Sequence, residues 1–385
     1  MEENTLVPIL KKDRYVFIDV LRGLSVLWMI ETHVMDAVMH PDFKHGLIYY
    51  LFDLSNGFVS VAFLFFAGSG FWIAATRKAE AYRHFEKPLW TYLKRLGLIL
   101  ILAYWLHLPF LSVRSISNLP FNALLQFFEC DILQAIVYSS LFALILLLLI
   151  KNLNALKYIY GLIAIFVFLY SPFIWNTDPT QYLPAFLAPL VAKYPISKFP
   201  LLPWSGYFFA GIFTAGVFFQ SENKMKVAKI YLTFGTIFFF LLYFTKTYTD
   251  FYPGYQDWWH ISPFYLLFRT SFVVAAFGLL FIFEKYYKNK KVGEILTLAG
   301  QESLFIYIFH LLIVYGSIIN HGFNFYIGQH LGPFETALLI LGLWFVSYSV
   351  TLMWHIIKTK EQKAAHLAMT SIFVLFLIIL IVRPF

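Results

Sequence analysis

A single cysteine, Cys130, in 385 residues leaves no internal disulfide to form, and no CxxC or Cys/His spacing offers a structural metal site. Charge is scarce. Asp, Glu, Lys and Arg make up 13% of the chain against about 25% in a soluble domain, whereas apolar residues reach 60% and mean hydropathy is +0.70. That balance excludes an ordinary soluble fold. Strand-period alternation is missing throughout, which excludes a membrane barrel. Acidic residues number 21 against 29 Lys and Arg, but the basic excess is scattered through short breaks, so nucleic acid is excluded as a partner. Neither a GxxxxGK loop nor a GxGxxG fingerprint is present, and there is no fixed-period repeat or low-complexity linker. One domain over residues 1–385 is expected, embedded in a lipid bilayer.

What the chain has is a succession of long apolar runs. A helix needs roughly 20 apolar residues to span the hydrocarbon, so the runs predict an all-α, polytopic membrane bundle. Eleven transmembrane helices are expected: Val16 to Met39, Leu47 to Thr76, Thr91 to Leu111, Ile132 to Ile150, Tyr158 to Trp175, Pro203 to Phe219, Ile230 to Phe244, Phe264 to Phe283, Ile295 to Ile319, Phe334 to Ile357 and Leu367 to Val382. The breaks alternate between basic (around Lys11, Arg77, Lys151, Lys224, Lys285 and Lys358) and aromatic, proline-bearing ones. Positive-inside charge puts the N-terminus in the cytoplasm. The first run lacks a small-residue cleavage site, so it is read as a retained helix rather than a signal peptide.

That first helix carries Asp19, Arg22, Glu31, His33 and Asp36. Each ionised group at mid-membrane costs about 2.5–3.5 kcal/mol, while a Leu or Ile returns about 0.3–0.6, so the helix cannot face lipid. Arg22 and His33, eleven positions and about 16 Å apart, share a stripe with Asp19 and Asp36 that would line a polar interior. Glu31 points elsewhere, toward a neighbouring helix or the outer interface.

"IDVLRGLSVLWMIETHVMDAV" resembles the catalytic membrane domain of heparan-alpha-glucosaminide N-acetyltransferases and their bacterial relatives, within the wider transmembrane acyltransferases. The Arg22 to His33 spacing also resembles the signature of type-three membrane acyltransferases. Further matches follow in order: "FVSVAFLFFAGSGFW", "CDILQAIVYSSL", "LLPWSGYFFAGIFTAG" and "ILTLAGQESLFIYIFHLLIVYG". The resemblance implies eleven helices and transfer of an acetyl group from cytosolic acetyl-CoA, with no metal, to an acceptor across the membrane. Lysosomal members carry their active-site histidine in a Phe-Lys-His tripeptide, matched here by Phe43, Lys44 and His45. This chain departs from them at His33, where they place asparagine. It also lacks their large preceding luminal segment, which favours a bacterial inner membrane over a lysosome and leaves the acceptor, a sugar or other glycan, unnamed. The reading allows a homodimer without requiring one.

Acyl transfer to an amine or hydroxyl needs a base or a nucleophile, and imidazole serves either role near neutral pH. His33 and His45 are the catalytic candidates, with Asp36 or Asp53 to fix a tautomer. In the ninth run Ser303, Tyr307 and His310 share a stripe at spacings of four and seven; Glu302 is expected opposite Arg22, and His310 nearer the acceptor. Arg22, Glu302 and Ser303 would serve the donor side. A polar seam that merely joins helices would have the same pattern. Arg269 suits an acceptor's carboxylate or phosphate, or alternatively an ion pair with Asp131. Trp258 and Trp259, beside Asp257 and His260, would form a sugar-stacking platform or an interfacial belt. Lys224, Lys226 and Lys229 could meet CoA phosphates, a role that rests on the resemblance alone. His107 and His321 have no special spacing and are read as structural. The rival class is a secondary transporter with the buried charges as its pathway, but neither internal symmetry nor paired broken helices support it.

Overall fold

The computed structural model describes residues 15–193, 197–248 and 258–383. Lys11, Lys12, Arg14 and Asp257 lie outside the described residues, as does the side chain of Trp258. The fold is an all-α membrane bundle. Its helices longer than ten residues are α1 Val16–Val38, α2 Gly46–Asn56, α3 Val59–Thr76, α4 Lys87–Leu106, α5 Ile132–Leu149, α6 Leu153–Ile174, α7 Leu201–Gln220, α8 Lys224–Phe244, α9 Pro263–Tyr287, α10 Lys291–Gln301, α11 Ser303–Val314, α12 Pro333–Lys360 and α13 Gln362–Val382. The strands described are Gly316–Ser317 and Asn320–His321, paired as a small hairpin.

Among the described residues, eight helices are long and apolar enough to cross a membrane alone, counting Gly46–Thr76 as one; a ninth crossing comes from α10 and α11 together. Two departures from the apolar pattern have physical causes. The second run turns at Gly57, separating α2, which buries none of its side chains, from the well-buried α3. The ninth run is not one straight helix: α10 and α11 meet at 78°. Glu302 occupies that break with φ −103° and ψ 23°, and its carboxylate is drawn sideways to His355 and Lys358 on α12.

Short connections reverse the chain repeatedly, so each end of the bundle collects every second terminus. At one end Lys157 bonds Gln220; at the other Tyr50 meets Tyr243, and Ser112 bonds the Arg383 carbonyl. The second end carries His33.

α1 is the central pillar, packed against α3, α9, α10, α11 and α12. Small residues permit this. A Cβ at Gly300 would lie 1.8 Å from the Asp19 carbonyl oxygen, and one at Gly23 2.1 Å from that of Leu296, so the backbones of α1 and α10 touch. The same device joins α3 to α7, where Gly68 meets the Phe208 carbonyl and Gly211 that of Phe65. Phe17, Phe218, Phe277 and Phe281 fill the core near the Arg22 end, with ring centroids 4.8–5.8 Å apart. Outward faces such as Phe234, Ile237, Phe238 and Leu241 of α8 are exposed, as lipid requires. The charged residues of α1 thus meet protein.

Candidate active site

α1 and α11 run side by side in the same direction and touch through two polar rungs. At the lower rung Arg22 Nη2 donates to Ser303 Oγ at 2.9 Å. At the upper one His33 Nδ1 lies 2.9 Å from His310 Nε2, the two rings stacked with centroids 5.1 Å apart and an 18° tilt. His310 is wholly buried and its Nδ1 is 2.8 Å from the Ile306 carbonyl. A carbonyl only accepts, so Nδ1 of His310 carries the proton and its neutral ring presents a lone pair at Nε2. His33 therefore donates from Nδ1, which leaves its own Nε2 as a free base. If His33 takes a second proton, the same bond becomes charge-assisted and stronger.

A second layer surrounds this pair. Tyr307, one turn before His310, packs against its ring edge-on at 5.7 Å and donates to Asp131 Oδ2 at 3.4 Å. Asp131 caps α5 through the Ile132 amide in a capping box with Gln134. Its second oxygen lies 3.9 Å from His107 Nε2, and Gln134 meets His107 Nδ1 at 3.3 Å. Just before Asp131, burial raises the Glu129 carboxyl above its ordinary range, opposed by the charges of Lys198 and His107. Lys198 also brings positive charge within range of His33. The polar atoms of α1, α11, the start of α5 and the end of α4 thus converge at the His33 end.

Some of the sequence candidates gather here and others stand apart. His310 occupies the orienting position expected of Asp36 or Asp53: Asp36 is exposed and turned to Lys44, its Oδ1 3.9 Å from Nζ, while Asp53 is exposed on α2. The 3-residue step from His33 to Asp36 puts them on neighbouring turns, but α11 fills the space beside the imidazole first. His45 is exposed at the N-cap of α2, and no contact joins it to His33 among the described residues. Ser303, rather than the expected Glu302, meets Arg22. Glu302, at the break between α10 and α11, pairs instead with His355 Nδ1 at 2.9 Å and Lys358 Nζ at 2.5 Å on α12. Arg269 lies over the Tyr265 ring at 4.4 Å and the Trp204 ring at 5.9 Å, while Asp131 is engaged elsewhere. Trp259 stacks edge-on against Tyr265 at 5.2 Å. His107, read as structural, belongs to the Asp131 layer. Its signal in sequence was absent because its partner is 24 residues away on another helix. His355, Lys358, Lys198 and Glu129 likewise had no local pattern, whereas Asp131 and Gln134 do follow the capping-box spacing.

The profile of the family described as "Heparan-alpha-glucosaminide N-acetyltransferase, catalytic" matches residues 14–243. The chain belongs to this family. No curated protein matches it significantly. Family membership makes it a membrane acyltransferase of the acetyltransferase type. The matched stretch includes Arg22, His33, His107 and Asp131; Ser303, Tyr307 and His310 follow it. No cluster of three metal-ligating side chains occurs among the described residues.

Proposed function

We propose that this acyltransferase moves an acetyl group from acetyl-CoA, bound at the Arg22 end, to an amine or hydroxyl of a sugar or other glycan at the His33 end. Positive-inside charge supports a cytoplasmic Arg22 end and an extracytoplasmic His33 end. The whole chain acts as one domain. The observation that carries the reading is the His33–His310 pair, held between the pillar helix α1 and α11, where ionisable groups are otherwise expensive.

Acetyl-CoA supplies the acyl group as a thioester. His33 Nε2 takes the proton that the acceptor nitrogen or oxygen loses as it bonds to the acyl carbon, and the proton passes on to the departing thiolate. His310 holds the ring in the required tautomer and shares the imidazolium charge through the Nδ1 bond. Asp131 and Tyr307 keep His310 from turning away. Arg22, tied to Ser303, offers a guanidinium to the donor from below. Lys226 and Lys229, near the start of α8, lie at the same end and suit CoA phosphates.

The test is transfer of label from radioactive acetyl-CoA by purified protein in sealed vesicles. His33→Ala should lose label transfer by about 10²–10⁴-fold while the protein stays folded. Full activity in that variant would remove His33 from the chemistry, and CoA-independent uptake of solute would favour transport instead.

A further inference from the structure

The 78° break between α10 and α11 falls where the chain meets the Arg22 end of α1. Gly300 lays its backbone against the Asp19 carbonyl, Gly23 lays that of α1 against the Leu296 carbonyl, and Ser303 Oγ accepts from Arg22 Nη2 at 2.9 Å. These three contacts tie the place of Arg22 to the place of the break.

A bent helix pair keeps its angle through what packs on it, because the ladder of backbone hydrogen bonds is interrupted at the bend. Here α12 does the packing. Glu302, 6% exposed, accepts from His355 Nδ1 at 2.9 Å and from Lys358 Nζ on the same carboxylate oxygen. One turn further along α11, Phe305 stacks on Trp354, the residue before His355, with ring centroids 5.8 Å apart and planes 9° from parallel. Higher up, Trp344 Nε1 donates to the Leu27 carbonyl at 2.8 Å, so α12 is fastened both to the break and to the pillar helix. Apolar side chains would join α12 to the break as firmly, since the desolvation of a buried ion pair offsets much of its attraction. The charged clamp calls for another reason.

We propose that His355 and Lys358 are positioning residues for acyl transfer: through Glu302 they fix the break, and through Ser303 the break holds the Arg22 guanidinium where the donor meets it. The clamp is kept for the single geometry it imposes on the break. This rests on the reading of Arg22 as a donor-side group. Lys358 has a side chain 46% exposed, so a direct contact with the phosphates of CoA is the competing role. The two roles differ in sign. Neutralising Glu302 would free Lys358 for a phosphate and tighten CoA, whereas it would loosen the clamp and weaken CoA.

The experiment is calorimetric binding of CoA to the full chain in lipid nanodiscs, run beside the label-transfer assay. Arg22→Ala should weaken CoA by about tenfold or more. Glu302→Gln and Lys358→Ala should each weaken it by about 3- to 10-fold, and Lys358→Arg should restore it. In a Ser303→Ala background Lys358→Ala should add little, because the clamp acts through that serine. The same factors should appear in KM for acetyl-CoA, with kcat moved by less than about twofold. Tighter or unaltered CoA in Glu302→Gln, a Lys358→Ala effect that adds in full to that of Ser303→Ala, or a lowered thermal midpoint with unaltered affinity overturns the clamp alone, provided that Arg22→Ala has weakened CoA. Unaltered affinity in Arg22→Ala places the donor elsewhere and overturns both the donor-side reading and the clamp.

Discussion

Two groups of polar side chains flank the upper third of α1, and they differ in one respect. His33 and Glu31 are two positions apart, about 200° around the helix, so they point in opposite directions. On the His33 side each key atom is matched: imidazole to imidazole, imidazole to carbonyl, phenol to carboxylate, carboxylate to helix amide. On the Glu31 side the carboxylate, the Trp204 indole, the Tyr207 phenol and Arg269 Nε remain unmatched. The same fold that completes one network leaves the other open. A completed network fixes a tautomer before any ligand arrives; an open one imposes no such order.

The comparison breaks most visibly if the matched side is disturbed. His310→Ala should lower kcat by about 10- to 100-fold, the loss of one charge-assisted bond of about 1.5–3 kcal/mol, while KM for acetyl-CoA stays the same. Glutamine at 310 should restore part of the rate, because an amide can still accept from His33 Nδ1. Steady-state kinetics on both variants decide this. Equal kcat in the wild type and His310→Ala would make His33 an unassisted base and the stacked pair an ornament of packing.

A second matched cluster sharpens the point at the opposite end. Glu302 is 6% exposed and its Oε1 is shared between His355 and Lys358. Removing one partner from a buried carboxylate costs more than the bond is worth, since the other partner must carry the desolvated charge alone. His355→Ala should lower stability by about 1–2 kcal/mol, with Glu302→Gln in the same background recovering part of it. Thermal unfolding in detergent measures both. A Tyr207→Phe protein that is no less stable, set beside a destabilised His355→Ala, would mark the difference between partnered and unpartnered groups directly.

Much of this fold was legible in the sequence. Apolar runs gave the helices because a membrane demands continuous hydrogen-bonded backbone, and the charged first run was rightly barred from lipid because α1 is buried on several sides. The Ser303, Tyr307, His310 stripe was legible too, since helical spacing alone put all three on one face. Pairing between helices was not. Asp36 looked like the natural partner of His33 from a three-residue step, yet a ring from a helix 277 residues away took that position. The bend at Glu302 was hidden for the same reason: Ile295 to Ile319 is apolar throughout its flanks, and what turns the chain is a carboxylate drawn to α12. Arg269 was read as suited either to an acid or to a pair with Asp131, and Trp204 and Tyr207 were indistinguishable from the aromatic residues that crowd every span.

The smallest expected effect concerns Glu129, which sits on the border between the matched and unmatched states. One of its oxygens has no partner, burial favours its neutral form, and Lys198 and His107 pull the other way while Asp131 adds to the rise. Its carboxyl is therefore raised in the folded chain above the unfolded value near 4.5. For a raised acid, the protonated form is the one the fold prefers. Its stabilising contribution is complete below the unfolded value and is lost as pH climbs through the folded one. Glu129→Gln keeps a neutral side chain at every pH, so its unfolding midpoint should exceed that of the parent at pH 7 by about a degree or two and converge with it near pH 4. A parent protein that gains stability over that rise in pH, relative to the variant, would mean that Lys198 and His107 outweigh burial and that Glu129 belongs with the matched network.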